Sequence, residues 1–259
     1  MLLEGKVALV TGAGSGIGAA AARLMAKEGA KIGALGRTES ELDKVVKQIK
    51  KAGGEAITLV ADTSEPEAME KATQQLVKAY GRLDIVVPNA GINGVWAPLE
   101  DLTPEDWDKT LTINLKGTFL SVKYAIPHLK KRGGSVVIVA SINGTRTFTS
   151  AGATAYSCSK AGQVAFAKMA AVELGQHKIR VNVVCPGAID TLIDENTEKI
   201  NTEKAEVPVE FPEGDIPLTK GEPGSAKQVA DLILFLASDQ ASHISGTEVW
   251  IDGGQSLLR

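Results

Sequence analysis

Short runs of β-branched and apolar residues recur along this chain with longer amphipathic stretches between them, and that alternation admits few architectures. The runs at 6–11, 31–36, 56–60, 84–88, 135–140, 179–185 and 247–251 have the length of strands. Between them, 16–27, 39–52, 66–80, 104–131, 155–176 and 226–237 space their apolar residues as helices do. Asp84-Ile85-Val86-Val87 and Ser135-Val136-Val137-Ile138-Val139 are apolar almost throughout, as strands covered on both faces must be. Parallel strands joined by helical crossovers satisfy both patterns. The expected fold is α/β in three layers, a doubly wound parallel sheet of about seven strands flanked by helices.

Nothing in the composition divides the chain. With 259 residues, 44% of them hydrophobic, it can build one core, and 1–259 is expected to be a single domain. One stretch breaks the rhythm. From 192 to 223 periodicity is lost while Glu195, Glu198, Glu203, Glu206, Glu210, Glu213 and Asp215 accumulate with Pro208, Pro212 and Pro217. A segment this long is read as a substrate loop or lid within the domain, with a solvated acidic excursion as the alternative.

The same inventory narrows function. A net charge of −3, with 28 basic residues against 31 acidic and no basic block, offers no footprint for nucleic acid. No apolar run approaches the roughly 20 residues that cross a bilayer, and no leader segment is visible, so a soluble, cytoplasmic protein is expected. Cys158 and Cys185 are too few for a disulfide framework. His128, His177 and His243 are scattered, so no metal is expected. Small-molecule chemistry is what remains.

The first strand runs into Thr11-Gly12-Ala13-Gly14-Ser15-Gly16-Ile17-Gly18 and then a helical segment. Glycine takes positive φ without steric cost and lets a ligand approach the backbone. At the start of a helix such a turn leaves N–H groups and a favourable dipole for a phosphate, so a dinucleotide pyrophosphate is the expected guest, with simple packing of the helix against the strand as the alternative. The fold is accordingly read as Rossmann-like.

The spacing Thr-Gly-x-x-x-Gly-x-Gly resembles the short-chain dehydrogenase/reductase family in its compact single-domain branch. Further stretches agree. Asn89-Ala90-Gly91 resembles the family's Asn-Asn-Ala-Gly segment, with Pro88 in place of the first Asn. Asn114 in Ile113-Asn114-Leu115, Ser141, Tyr156-Ser157-Cys158-Ser159-Lys160 and Pro186-Gly187 followed by Thr191 continue the family pattern in order over nearly the whole chain.

Tyr156 and Lys160 are four apart on an expected helix, so their side chains share a face. An ammonium beside a tyrosine favours the phenolate and lowers its pKa from about 10. Tyr156 can then act as general acid or base, and with a dinucleotide it suits hydride transfer to or from a carbonyl. The resemblance implies that Ser141 hydrogen-bonds the substrate oxygen, that Lys160 also holds the nicotinamide ribose, and that Asn114 serves a water-linked proton relay. It also implies that Asp62 receives the adenine amine and that Asn89 lines the adenine-ribose side. Pro186, Gly187, Ile189 and Thr191 are implied holders of the nicotinamide carboxamide. Cys158 is read as packing, since no His or Asn is placed to activate it.

Cofactor choice is read at the end of the second strand. A free ribose 2′-hydroxyl is usually held by an acid about 20 residues past the glycine turn, whereas a 2′-phosphate needs that acid absent and an arginine near. Gly36 stands at that position and Arg37 follows it. NADP(H) is therefore favoured, with NAD(H) the alternative. By resemblance, the segments surrounding the substrate supply Asn93, Trp96, Asn143 and Arg146. Arg146 is read either as the partner of an anionic substrate or as a subunit contact, and Trp96 as packing under the loop. Relatives pair subunits through the helices corresponding to 106–131 and 155–176, and Trp250-Ile251-Asp252-Gly253-Gly254 resembles a second contact, which implies a homotetramer. Competing readings are a sugar-nucleotide epimerase, disfavoured by the short C-terminal part, and a catalytically silent dinucleotide-binding module on the same fold.

Overall fold

The computed structural model describes residues 1–191, 193, 197–211 and 214–258. The first half contains β1 (Val7–Thr11), α1 (Gly16–Lys27), β2 (Lys31–Gly36), α2 (Glu39–Lys51), β3 (Glu55–Val60), α3 (Pro66–Tyr80), β4 (Ile85–Val87), β5 (Gly94–Trp96), α4 (Pro104–Leu111) and α5 (Gly117–Leu129). The second half adds β6 (Gly134–Val139), α6 (Thr154–Gly175), β7 (Ile179–Pro186), β8 (Ile189–Asp190), β9 (Thr197–Lys199), β10 (Gly224–Ser225), α7 (Ala226–Ala237) and β11 (Glu248–Ile251).

Seven strands form one sheet in the order β11-β7-β6-β4-β1-β2-β3, and every pairing in it is parallel. These are the seven runs marked as strands by the sequence, with small shifts at their ends. On one face, Met25, Ile32, Val45, Ile49, Ile233 and Leu236 pack α1, α2 and α7 onto the sheet. On the other, Met69, Leu76, Leu120, Leu129, Val164 and Leu174 do so for α3, α5 and α6. Burying each such side chain contributes about 1.5–3 kcal/mol, so both faces need their helices. The inner face of α1 is mostly Gly18, Ala19, Ala21, Ala22 and Ala26, small residues that let the helix lie close.

The chain winds outward from β1 through β2 and β3, then resumes at β4 and winds the other way. The crevice between β1 and β4, at the carboxyl ends of the strands, is where such sheets receive ligands. Local signals set the helix starts. The Thr103 Oγ1 accepts the Asp106 N–H at 3.1 Å ahead of α4, and Ser225 and Gln228 form a reciprocal cap on α7.

Two expectations change. The stretch 104–131 is not one regular helix: between α4 and α5 a π-helical turn spans Thr112–Lys116. Apolar spacing alone does not reveal such a slip in the hydrogen-bond ladder. The excursion from 192 to 223, read as aperiodic, carries a short strand. Within it β9 pairs with β5, which pins that part to the body, while β8 and β10, on either side of it, pair with each other and bring its two ends together. Leu192, Glu195, Pro212 and Glu213 of that expectation lie outside the described residues. Among the described residues, no helix is long and apolar enough to cross a membrane.

Candidate active site

The glycine turn closes β1 with backbone that other residues adopt only under strain. Gly12 and Gly16 have φ of 65° and 49°. A Cβ at Gly12 would lie 2.9 Å from both the Ala90 Cα and the Asn89 Nδ2, and one at Gly18 would press into the Gly12 carbonyl oxygen. Ser15 is the N-cap of α1 but makes no side-chain capping bond, and the first turn holds no acidic residue. The N–H groups there suit an anion, and the missing Cβ atoms let the turn pack directly against Asn89, Ala90 and its own Gly12 carbonyl. Thr11 anchors the neighbouring segment, its Oγ1 accepting from the Asn89 and Ala90 N–H groups at 3.0 Å each. Asn89 returns a bond, donating through Nδ2 to the Thr11 carbonyl at 3.0 Å.

A cavity of about 390 Å³ opens against this turn. It is lined by Ile17, Asn89 and Gly91 on one side and by Pro186, Gly187, Ile189 and Thr191 on another. Ser141, Tyr156 and Lys160 line it together, as do Asn93, Trp96 and Asn143. The Ser141 hydroxyl oxygen accepts the Asn143 N–H at 3.1 Å, which fixes one lone pair and leaves the O–H as a separate donor. Lys160 is buried, at 4% exposure, and its Nζ donates to the Val139 carbonyl at 3.0 Å while lying 5.5 Å from the centroid of the Tyr156 ring. Burial pushes its pKa down to about 8, partly countered by the neighbouring Cys185.

Asn114 stands behind the cavity at the centre of the π-helical turn. Its Nδ2 donates to the Ile92 carbonyl at 2.9 Å and to the Ser159 Oγ at 3.0 Å, and its Oδ1 accepts the Ile92 N–H at 2.9 Å. The Ser159 hydroxyl in turn donates to the Tyr156 carbonyl at 2.6 Å. Asn114 thereby ties α6 to the segment after β4. Its own carbonyl accepts from Gln163 Nε2 at 3.0 Å and from Thr118 Oγ1 at 2.8 Å.

Arg37 and Asp62 sit outside the cavity at the ends of β2 and β3, close enough to interact electrostatically. For Asp62, burial pushes the carboxyl up, but bonds from the Ser64 N–H and O–H together with the charges of Arg37 and Lys116 outweigh it, leaving the pKa below the usual value. Glu41, at the start of α2, leans on the glycine turn: a Cβ at Gly14 would lie 2.9 Å from its Oε2.

Some placements depart from the sequence reading and others add to it. Arg146 does not line the cavity; its guanidinium stacks 3.6 Å from the centroid of Trp250 and bears on Asp252. Cys158, read as packing, is exposed, because it lies on the turn of α6 facing away from Tyr156 and Lys160. Trp96 lines the cavity with its ring 6.4 Å from that of Tyr156, besides packing under the loop. Asn93 donates through Nδ2 to the Thr197 Oγ1 at 2.7 Å, holding β9. Ser150, Asp190 and Gln255 also line the cavity. No motif marks the first two, and Gln255 is signalled only by following Asp252-Gly253-Gly254.

Comparison with known proteins converges on one family. The sequence model of a family described as enoyl-(acyl carrier protein) reductase matches residues 12–256. The 3-oxoacyl-[acyl-carrier-protein] reductase FabG of Thermotoga maritima is 40% identical over 255 residues, covering 98% of this chain and 99% of that protein. The crystal structure of a 3-ketoacyl-ACP reductase from Sinorhizobium meliloti superposes with a TM-score of 0.94 at 54% identity, covering 98% of this chain and all of that one (100%). A short-chain dehydrogenase from Burkholderia cenocepacia, solved in complex with NADP, does so with a TM-score of 0.85 at 34% identity, covering 98% and 99% of the two chains. The chain belongs to the short-chain dehydrogenase/reductase family and is an NAD(P)-dependent oxidoreductase acting on CH–OH and C=O groups.

Proposed function

We propose that this chain transfers a hydride between NADP(H) and a carbonyl or secondary-alcohol carbon, with Tyr156 as general acid and base. The observation that carries this reading is the convergence of Ser141, Tyr156 and Lys160 on one cavity that opens against the glycine turn and the 186–191 turn. The N–H groups of residues 12–18 take the pyrophosphate, Arg37 the 2′-phosphate, Asp62 the adenine amine and Asn89 the adenine ribose. Pro186, Gly187, Ile189 and Thr191 hold the carboxamide. When bound, the dinucleotide supplies the hydride.

In the reductive direction Ser141 donates to the carbonyl oxygen and polarises it. Tyr156 gives that oxygen its proton, so one hydride and one proton convert carbonyl to alcohol. Lys160 holds the nicotinamide ribose, and its ammonium stabilises the phenolate left on Tyr156. Asn114 keeps α6 at its distance from the segment after β4. Within one domain, the described parts of 192–223 serve as the substrate loop, with Trp96 and β9 closing that side.

Two relatives direct the choice of substrate, since both are named as reductases of 3-oxoacyl groups on acyl carrier protein. Lys160 is the sole cation among the described residues lining the cavity, which disfavours recognition of a small carboxylate. A 3-oxoacyl thioester is therefore the first substrate to test. Steady-state assays of a carbonyl panel with NADPH and NADH, and of an alcohol panel with both oxidised cofactors, decide the matter. Reduction of the thioester with NADPH supports the reading; turnover confined to alcohols with NAD overturns its cofactor and direction. Glu41 favours that second reading, since a carboxylate beside the glycine turn suits a ribose hydroxyl better than a phosphate.

A further inference from the structure

Gln255 lies where three segments meet. It is 7% exposed and lines the cavity near Gly187 and Ala188. Its Oε1 accepts the Ala188 N–H at 2.9 Å, and its Nε2 donates to the Asp215 Oδ2 at 2.9 Å. Ala188 belongs to the turn between β7 and β8. Asp215 belongs to the acidic excursion, and Gln255 itself to the turn that follows β11. The contact is close: a Cβ at Gly187 would lie 2.7 Å from Gln255 Oε1 and 2.7 Å from the Asp252 Cβ. Two backbone bonds reinforce it, from the Gly187 N–H to the Ile251 carbonyl at 3.1 Å and from the Leu218 N–H to the Gly253 carbonyl at 3.1 Å.

An amide side chain is suited to this junction, because it accepts from an N–H at one end and donates to a carboxylate at the other. A carboxylate at 255 would face Asp215 with like charge, and an apolar residue would leave the Ala188 N–H and one Asp215 oxygen without these partners.

We propose that Gln255 is a positioning residue that fixes the Pro186–Gly187–Ala188 turn through the Ala188 N–H and locks it to the excursion through Asp215. The inference rests on the reading that this turn holds the nicotinamide end of the cofactor. Gln255 touches neither hydride nor proton. It sets the angle of the ring against the substrate, a small geometric control to which transfer rates are steeply sensitive.

The test uses four proteins: wild type, Gln255→Glu, Asp215→Asn and the double variant. Each is titrated with NADPH and with 2′,5′-ADP, which lacks the nicotinamide, and kcat, KM and the isotope effect with deuterated NADPH are measured. Gln255→Glu is expected to lose on the order of tenfold to a hundredfold in kcat with an enlarged isotope effect, while 2′,5′-ADP affinity stays unchanged. In the double variant the amide introduced at position 215 can donate to the carboxylate introduced at position 255, which still accepts from the Ala188 N–H, so kcat should recover relative to Gln255→Glu. Asp215→Asn keeps an acceptor for Gln255 and is the reference for that recovery. Gln255→Asn, one methylene too short to span both partners, should repeat the loss if Gln255→Glu does not fold.

Wild-type kcat and isotope effect in the folded variants at position 255, or failure of the double variant to recover, overturns the proposal. If wild type binds 2′,5′-ADP but gains nothing from the nicotinamide half of NADPH, the reading of the 186–191 turn falls instead and takes the proposal with it.

Discussion

Burial holds the Lys160 ammonium at about 8, well under its ordinary 10.5, and this has a signed consequence for stability. A base with a depressed pKa in the fold penalises the native state fully below about 8, and the penalty is relieved as pH rises toward 10.5. Cys185 works the other way, its thiol pushed by burial from 9.0 up to about 12, so its contribution falls as pH rises above 9.0. Between about 8 and 9.0, stability of the cofactor-free protein should therefore climb, by at most about 1.4 kcal/mol per pH unit from this lysine. Urea denaturation across that window should lose this slope in Lys160→Met. A second residue-scale prediction concerns Arg37. Replacing Gly36→Asp with Arg37→Ile should shift the ratio of kcat/KM for NADPH over NADH by about tenfold to a hundredfold toward NADH. A Cβ at position 36 would lie 3.3 Å from the Leu42 Cδ2, a flexible end that can yield. An unchanged ratio removes Arg37 from the 2′-phosphate site. Tyr156 and Lys160 were legible in the sequence because a spacing of four on a helix fixes a shared face. Arg146 and Gln255 were not, since the direction of a long side chain from a turn is decided by what packs beside it, here Trp250 and Ala188.

At the scale of elements, the β1 turn and the start of α1 form a unit with no room to spare. Gly18→Ala should cost about 1–3 kcal/mol in urea unfolding, because its Cβ meets the Gly12 carbonyl and lies 2.5 Å from the Asn89 Nδ2. It should also weaken NADPH binding, read by nucleotide fluorescence; an unperturbed affinity would show that the turn does not carry the pyrophosphate. The boundaries of α1, α3 and α7 follow the apolar period of the sequence because each helix buries one stripe against a sheet. The π-helical turn at Asn114 escaped that reasoning. It is held by side chains from elsewhere in the fold, Gln163 and Ser159 of α6, rather than by its own sequence. The pairing of β9 with β5 escaped it too, as three-residue strands leave no periodicity to detect.

For the whole molecule, α5 and α6 carry apolar surface that one chain leaves uncovered. Phe119 is 42% exposed and meets Phe166 edge to face at 6.3 Å, while Met169 and Val172 face outward further along α6. We propose that this surface pairs subunits in a homotetramer, so light scattering should give about four times the 27.1 kDa of one chain. Phe119→Glu should reduce the assembly, and a monomeric wild type would refute the proposal. The most direct measurement of the chemistry is single-turnover oxidation of bound NADPH by a 3-oxoacyl thioester in wild type and in Tyr156→Phe, with NADPH affinity determined on the same preparations. The expected result is rapid oxidation by wild type and a rate about 10²–10⁴-fold lower in Tyr156→Phe at unchanged NADPH affinity. Oxidation at the wild-type rate in Tyr156→Phe would contradict the assignment of Tyr156 as the proton donor.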